Sequence, residues 1–498
     1  MTDRVAIIGA GFAGLCMAIR LAQAGVTSFT VYEKADDLGG VWRDNTYPGA
    51  GCDVPSHLYS YSFAPRADWS RAYPLQPELL RYLHDCADTH GIRPRIRFHT
   101  EITSAAYDET AQRWELRTAD GGTRHAQVLV TAVGQLNRPR FPDYPGLGDF
   151  TGTTFHSARW NHHHDLTDEV VGVIGTGPSA VQFIPRIAPK VRTLRVFQRS
   201  ANWVMPKWDY RYGPVHRALF TTPAGRLAFR GGWFAFGDTV LYSAVRGGRL
   251  GKIIEYLCRR QLRTQIPDPA LRAKLTPDFP LGCKRILISD DYYPALARDN
   301  VEVITEKITR ITPRGIQTAD GTEHPLDTVI HGTGFTATEF LAPMTITGRD
   351  GRQLREHAWA GGAEAFLGMA VPDFPNLFLL YGPNTNLGNN SVILMIEAQV
   401  RYILSCLATM DRDGRRELEV APYAFESFQR HLEDALHTTV WEAGCASWYK
   451  TDTGKVTNNW PHRAARYRKL TRRPDPAHFR ATTDDREEHP PREHPGWV

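Results

Sequence analysis

At 498 residues, with 42% hydrophobic and 23% charged side chains, the chain has the composition of an ordinary soluble globular protein, with room for two or three domains and a large core. A net charge of +5 suits small polyanionic cofactors but is too diffuse for nucleic-acid binding, and no apolar run approaches the length of a membrane span. The seven cysteines include no Cys-x-x-Cys pair, which argues against a zinc site, a disulfide framework or a dithiol relay and points to a reducing, cytoplasmic setting.

Residues 5–8 (Val-Ala-Ile-Ile) read as a buried parallel strand, too short for a signal sequence. Gly9-Ala-Gly11-Phe-Ala-Gly14 follows, then an Ala- and Leu-rich helix over 15–24 and a second strand over 29–32 that ends at Glu33. In that context Gly9 permits a tight turn, Gly11 lets backbone approach a pyrophosphate and Gly14 lets helix and strand pack closely. Glu33 is placed for a ribose hydroxyl. A glycine-rich loop over 39–53 holds Gly40, Trp42 and, in a run over 47–53 with no other charge, Asp53. It suits a flat ligand, although a surface turn capped by Asp53 would read the same. An amphipathic helix over 77–90, hairpin strands over 102–108 and 114–117, and a buried strand over 128–134 come next.

A proline-rich linker then opens into 150–161, a connector between two units of the same kind. His162-His-His164 reads as a solvated loop, because consecutive side chains cannot converge on one metal ion. A strand over 170–174 leads into Gly175-Thr-Gly177-Pro-Ser179-Ala180 and a helix through 187, which make a second phosphate cradle. The strand after it ends in Arg199-Ser200 with no acid, and arginine in the place of Glu33 favours a 2′-phosphate, hence NADP over NAD. Residues 202–278, dense in aromatics and arginines, read as a helical insertion able to wall a lipophilic pocket. Glycines interrupt its amphipathic run, which weighs against a membrane-surface role. Residues 328–335 echo 128–134, and 382–391 could turn backbone and side-chain amides toward a ring system where a helix starts at Val392. Past 472 the charged, proline-rich tail reads as disordered.

The fold class expected is α/β, with two Rossmann-like dinucleotide-binding domains and a helical insertion. An FAD-binding domain would comprise 1–140 and 331–472, an NADPH-binding domain 166–330, with the linker 141–165 between them and a tail over 473–498.

Two cradles in one chain imply FAD with a nicotinamide cofactor, and here the sequence resembles the type I Baeyer–Villiger monooxygenases, within the class B flavoprotein monooxygenases. Phe150-x-Gly152-x-x-x-His156-x-x-x-Trp160 is similar to the signature of that family, with Asn161 where proline or aspartate is commoner. Gly40-x-Trp42, Tyr47-Pro-Gly49 and Asp53 match a second signature, Lys284-Arg285 the pair that binds NADP and holds the catalytic arginine, and Ser447-Trp448 the late segment that closes over the nicotinamide.

The resemblance implies FAD and NADPH as cofactors, a small organic ketone and O2 as substrates, and a monomer or homodimer. One oxygen atom would be inserted beside the carbonyl through a C4a-peroxyflavin. Arg285 would stabilise the peroxide anion and the tetrahedral adduct, with Asp53 holding its guanidinium. Trp42, Tyr59, Ile102 and Val392 would contact the flavin; Gly175, Gly177, Ser179, Arg199, Ser200, Lys284 and Trp448 would contact NADPH. His156 is implied as a coupling residue and not a proton carrier. An ion pair that only ties two domains together would use the same Asp53 and Arg285. Two rival activities stay open: an S- or N-oxygenating relative, which needs no arginine at the peroxide, and an NADPH oxidase that releases peroxide.

Overall fold

The computed structural model describes residues 2–442, 444 and 447–480. Strand Thr2–Ile8 lies parallel between Phe29–Tyr32 and Thr123–Thr131. Val5, Ala6 and Ile7 are sealed on both faces, which is why the run is continuously apolar and does not alternate. Antiparallel strands Arg113–Thr118 and Ile102–Asp108 extend the sheet, and two late strands join it: Thr345–Thr347 at its edge and Leu377–Leu379 on Thr123–Thr131.

A second sheet has five parallel strands in the order Val301–Ile304, Thr193–Phe197, Val170–Ile174, Thr328–His331, Thr153–His156. In each sheet the strand that enters a glycine turn has the next strand of its unit on one side and a returning strand on the other. The order therefore reverses at the glycines, the point where open α/β sheets bind ligands. The connector supplies an edge strand, Thr153–His156, to the second sheet, followed by a 3₁₀ turn, Ser157–Arg159.

The insertion is helical as expected. Helices Pro214–Thr221 and Pro223–Phe236 come first, and the latter runs through a π turn, Gly237–Leu241, into Tyr242–Val245. Helices Arg249–Gln265 and Pro269–Lys274 follow.

Three expectations need correction. Helix Val392–Arg412 is, among the described residues, long and apolar enough to cross a membrane. It packs in the core beside Phe12–Gln23, with Ile393, Met395, Ile403 and Cys406 buried, so its apolarity is spent on packing. The tail is ordered as far as Arg480: Asp475 caps a short turn, Phe479 is buried, and Arg480 pairs with Glu419 and Asp373. Residues 481–498 lie outside the described residues. Cys283 is disulfide-bonded, although the cysteine spacing argues against a disulfide framework, while Cys16, Cys52, Cys86, Cys258 and Cys406 are free and buried.

The register of the second sheet sets His156 beside His331, with Phe141 edge-on to both rings at 5.5 and 5.2 Å. Burial, and then Arg159, lower the pKa of His156 to about 4 against the carbonyl of Gly334. Burial and His156 itself do the same to His331. Both are neutral at pH 7. The unfolded chain takes up these protons near pH 6.5. Stability is therefore full above about pH 6.5 and falls as pH drops toward 4, by at most about 3 kcal/mol per histidine. Thermal unfolding between pH 7 and 4.5 should show a steep fall in midpoint, and His156→Asn with His331→Asn should flatten that slope whatever it does to the midpoint at pH 7.

Candidate functional site

The first cradle is closed to side chains where the chain turns and open where a ligand would lie. Gly9 has φ +102°, and a Cβ there would sit 2.7 Å from the Ala132 carbonyl oxygen; a Cβ on Gly14 would sit 1.8 Å from that of Gly9. A Cβ on Gly11 would meet nothing nearer than the Cα of Gly40, at 3.7 Å. That free space at a helix N-terminus is what a pyrophosphate needs. Glu33 is buried and accepts bonds from Ala10 N, Ala35 N and Arg43 Nη1 at 2.9, 3.0 and 3.2 Å. With about four lone-pair sites it keeps room for a ribose hydroxyl.

Trp42 Nε1 donates to Tyr59 Oη at 3.3 Å, and the two rings meet edge to face. Val392 opens its helix behind the Ser391 cap. Ile102 packs in the core with Ile8 and Tyr32, away from the cavity described below.

The second cradle repeats the pattern. Gly175 has φ +100°, with Gly332 closing over it, and Gly177 is open. Ala180, at the place of Gly14, is buried against Gly332. Beyond the next strand Lys284 Nζ donates to Ser200 Oγ at 2.8 Å, and burial together with the nearby Arg199 lowers the lysine's pKa. Two cations held together in this way make a site for an anion such as a phosphate.

Arg285 and Asp53 come together as expected. Nε and Nη2 of the arginine both donate to one oxygen, Oδ2, at 3.0 and 2.6 Å. Burial pushes the aspartate's pKa up, but Arg285 and then Lys207 outweigh it and hold the carboxyl below its usual range. Asp53 in turn raises the pKa of Arg285. The pair stands, with Lys284, at the polar end of a cavity of about 890 Å³, mouth included. The rest of the wall is largely apolar, with Leu58 and Met205 beside Trp233, Phe236, Leu241 and Val245 of the insertion, and Tyr449 also contributes. Trp448 lies 4.5 Å ring to ring from Tyr449 and is outside that wall; Ala446, beside this late segment, lies outside the described residues.

The signature residues act in packing. A Cβ on Gly152 would sit 2.3 Å from the Asp327 carbonyl oxygen and 2.7 Å from the Phe150 ring. Trp160 meets Phe183 of the second cradle's helix at 5.3 Å, and Phe183 meets Tyr47 of the loop bearing Asp53 at 6.0 Å.

Several contacts have no sequence signal. Gln182, on that same helix, bonds Gly51 through both its N–H and its carbonyl, and accepts from Tyr47. The side-chain amides of 382–391 bond other parts of the chain, while Leu387, Gly388, Asn389 and Asn390 line the cavity. Asn384 and Asn386 bond the segment at 456–459, while Asn389 and Asn390 donate to the carbonyls of Gly237 and Phe234 in the insertion. Asp238, in the π turn, accepts from Ala464 N and Ala465 N.

The model of the flavin-binding monooxygenase-like family matches residues 2–222. A Baeyer-Villiger monooxygenase of Streptomyces coelicolor is 44% identical over 96% of this chain and 92% of its own. A solved structure of an oxidized steroid monooxygenase bound to NADP is similar with a TM-score of 0.85 and 33% identity, over 95% of this chain and 97% of its own. One of OTEMO in complex with FAD and NADP gives a TM-score of 0.85 and 29% identity over the same shares.

Arg230 fixes the loop that carries Leu58 and Tyr59. From helix Pro223–Phe236 its Nη1 reaches the carbonyls of His57, Leu58 and Ser60 at 2.7, 3.3 and 2.8 Å, and Nη2 lies 3.7 Å from Glu397. Arg230→Met, which leaves those carbonyls without this donor, is expected to lower the free energy of unfolding by about 2–3 kcal/mol, read by urea denaturation.

Proposed function

Because the chain belongs to the Baeyer–Villiger monooxygenase family, we propose that Asp53 and Arg285 form its reaction centre and that the apolar cavity beside them seats the ketone. The protein is an NADPH-dependent flavoprotein monooxygenase, and it carries out Baeyer–Villiger oxidation of a ketone to an ester or lactone with FAD and NADPH as cofactors. When bound, the flavin would activate O2, one atom of which goes to the ketone and the other to water, and the nicotinamide would supply the hydride that reduces the flavin.

The observation that carries the proposal is the use Arg285 makes of its donors. Two of its nitrogens are spent on one oxygen of Asp53, which fixes the guanidinium plane and leaves Nη1 available to the cavity. A permanently charged donor there can hold the negative charge that develops on the carbonyl oxygen as its carbon is attacked. Asp53 keeps the arginine oriented. The aromatic wall from the insertion excludes water and favours an aryl or otherwise apolar ketone.

Gly9, Gly11 and Gly14 would cradle the FAD pyrophosphate, with Glu33 on its ribose and Trp42 and Tyr59 beside the ring. Gly175, Gly177 and Ser179 would cradle that of NADPH, with Arg199, Ser200 and Lys284 on the 2′-phosphate and Trp448 beside the nicotinamide. In this reading the first sheet with its late strands is the FAD domain and the second the NADPH domain.

The arginine assignment is tested by product analysis with aryl and cyclic ketones and thioethers. Arg285→Ala should lower ester formation by about 100- to 1,000-fold, while anaerobic reduction of the flavin by NADPH persists. Arg285→Lys should not restore it, since a point charge lacks the fork. Sulfoxide without ester from the wild type would instead favour heteroatom oxygenation. For the phosphate site, Lys284→Ala is expected to raise KM for NADPH roughly 10- to 100-fold and leave that for NADH little changed, as steady-state kinetics with both cofactors would show.

A further inference from the structure

Eight of the eleven large hydrophobic side chains exposed among the described residues belong to the insertion, so its surface differs in kind from the rest of the molecule. Residues 202–278 also hold thirteen Lys and Arg against five Asp and Glu, although the whole chain is nearly balanced at 59 to 54. Both excesses meet on one helix, Arg249–Gln265. Its inner face, with Ile254, Cys258 and Leu262, is buried. Leu250, Ile253 and Tyr256 point outward, 39, 53 and 58% exposed. At 100° per residue, Arg249, Lys252, Arg260 and Arg263 fall on the same outer side, and none of the four has a carboxylate partner among the described residues.

The glycines do not break this face. Gly248 is the N-cap, and Gly251 faces inward, where a Cβ would lie 2.9 Å from the Cα of Ala244. They let two helices approach closely and leave seventeen helical residues uninterrupted. Next to the face, Arg259, Arg263 and Arg272 line an open cleft with Trp203 and Tyr293. Arg259 is already paired with Glu255, whereas Arg263 is not.

We infer that this outer face is a docking surface for an anionic phospholipid bilayer, with Ile253 and Tyr256 entering the headgroup layer and the arginines meeting lipid phosphates. The physical warrant is the pairing of an apolar strip with unpaired cations, the pattern by which a helix lies in a membrane interface. The inner face of the helix packs on the π turn and the helix after it, whose Leu241 and Val245 line the cavity. Docking would therefore hold the cavity about one helix layer from lipid, where an apolar compound is concentrated. The inference does not depend on which reaction the cavity supports.

Flotation of the FAD-loaded protein with vesicles tests it. Vesicles of phosphatidylcholine mixed with phosphatidylglycerol should carry the protein at low salt, and vesicles of phosphatidylcholine alone should not. Added salt should release it. Arg260→Ala with Arg263→Ala should weaken binding roughly thirtyfold, at about fivefold per basic side chain, and Ile253→Asp should weaken it likewise, all with wild-type flavin content. Tyr423→Asp, an exposed aromatic on another helix, should float as the wild type does. Equal binding to both vesicles, no binding to either, or equal loss in the Tyr423 variant would overturn the proposal. So would self-association that Ile253→Asp abolishes, which would assign the face to a second copy.

Discussion

A guanidinium and a carboxylate drawn together from positions 232 residues apart are the contact that the rest of the structure must accommodate. Taking two charges out of water is costly, and losing one partner leaves the other uncompensated. The loop with Asp53 must therefore be placed to within a bond length of a residue that follows the insertion. Gln182 performs that placement on one side: an amide used at both ends locks the loop to the helix of the second cradle. Lys207 beyond the pair adds a second positive charge, which keeps the carboxylate ionised in spite of its burial.

The signature segment contributes to the same placement by shape. Its glycine is required because a carbonyl and a ring already occupy the space where a side chain would project, and its tryptophan begins a line of rings that ends at Tyr47. Its histidine is neutral and sealed beside a second histidine. The segment joins the edge of the second sheet to the loop that bears Asp53 through a run of close-packed rings.

Both cradles were legible in the sequence, because strand, glycine turn and helix are contiguous and each glycine answers a local steric demand. The pairing of Lys284-Arg285 with Arg199 and Asp53 was legible only through resemblance, since no spacing rule joins residues so far apart. Arg230, Gln182 and Asp238 had no signal at all: a lone polar residue on a helix looks the same whether it meets water or a carbonyl. For the same reason the bonds that the asparagines of 382–391 make to the insertion and the late segment had no signal. Composition misled in three places. Phe479 anchors a tail whose neighbours are charged, a core helix is as apolar as a membrane span, and glycines that look like breaks are where two helices touch.

The π turn at Gly237–Leu241 sits between two docks that fix the helix independently. Upstream, Arg230 grips the loop with Leu58 and Tyr59; downstream, Ala244 lies against Gly251. A regular helix would carry both docks only if their angular phases happened to agree, and one extra residue in a wide turn absorbs the mismatch. A single-residue insertion or deletion in this turn would rotate Trp233 relative to Leu241 and shift Gly237 and Asp238 from their partners Asn389, Ala464 and Ala465. Because Gly237 and Leu241 of this turn line the cavity themselves, length variation at this one point would reshape the cavity wall directly.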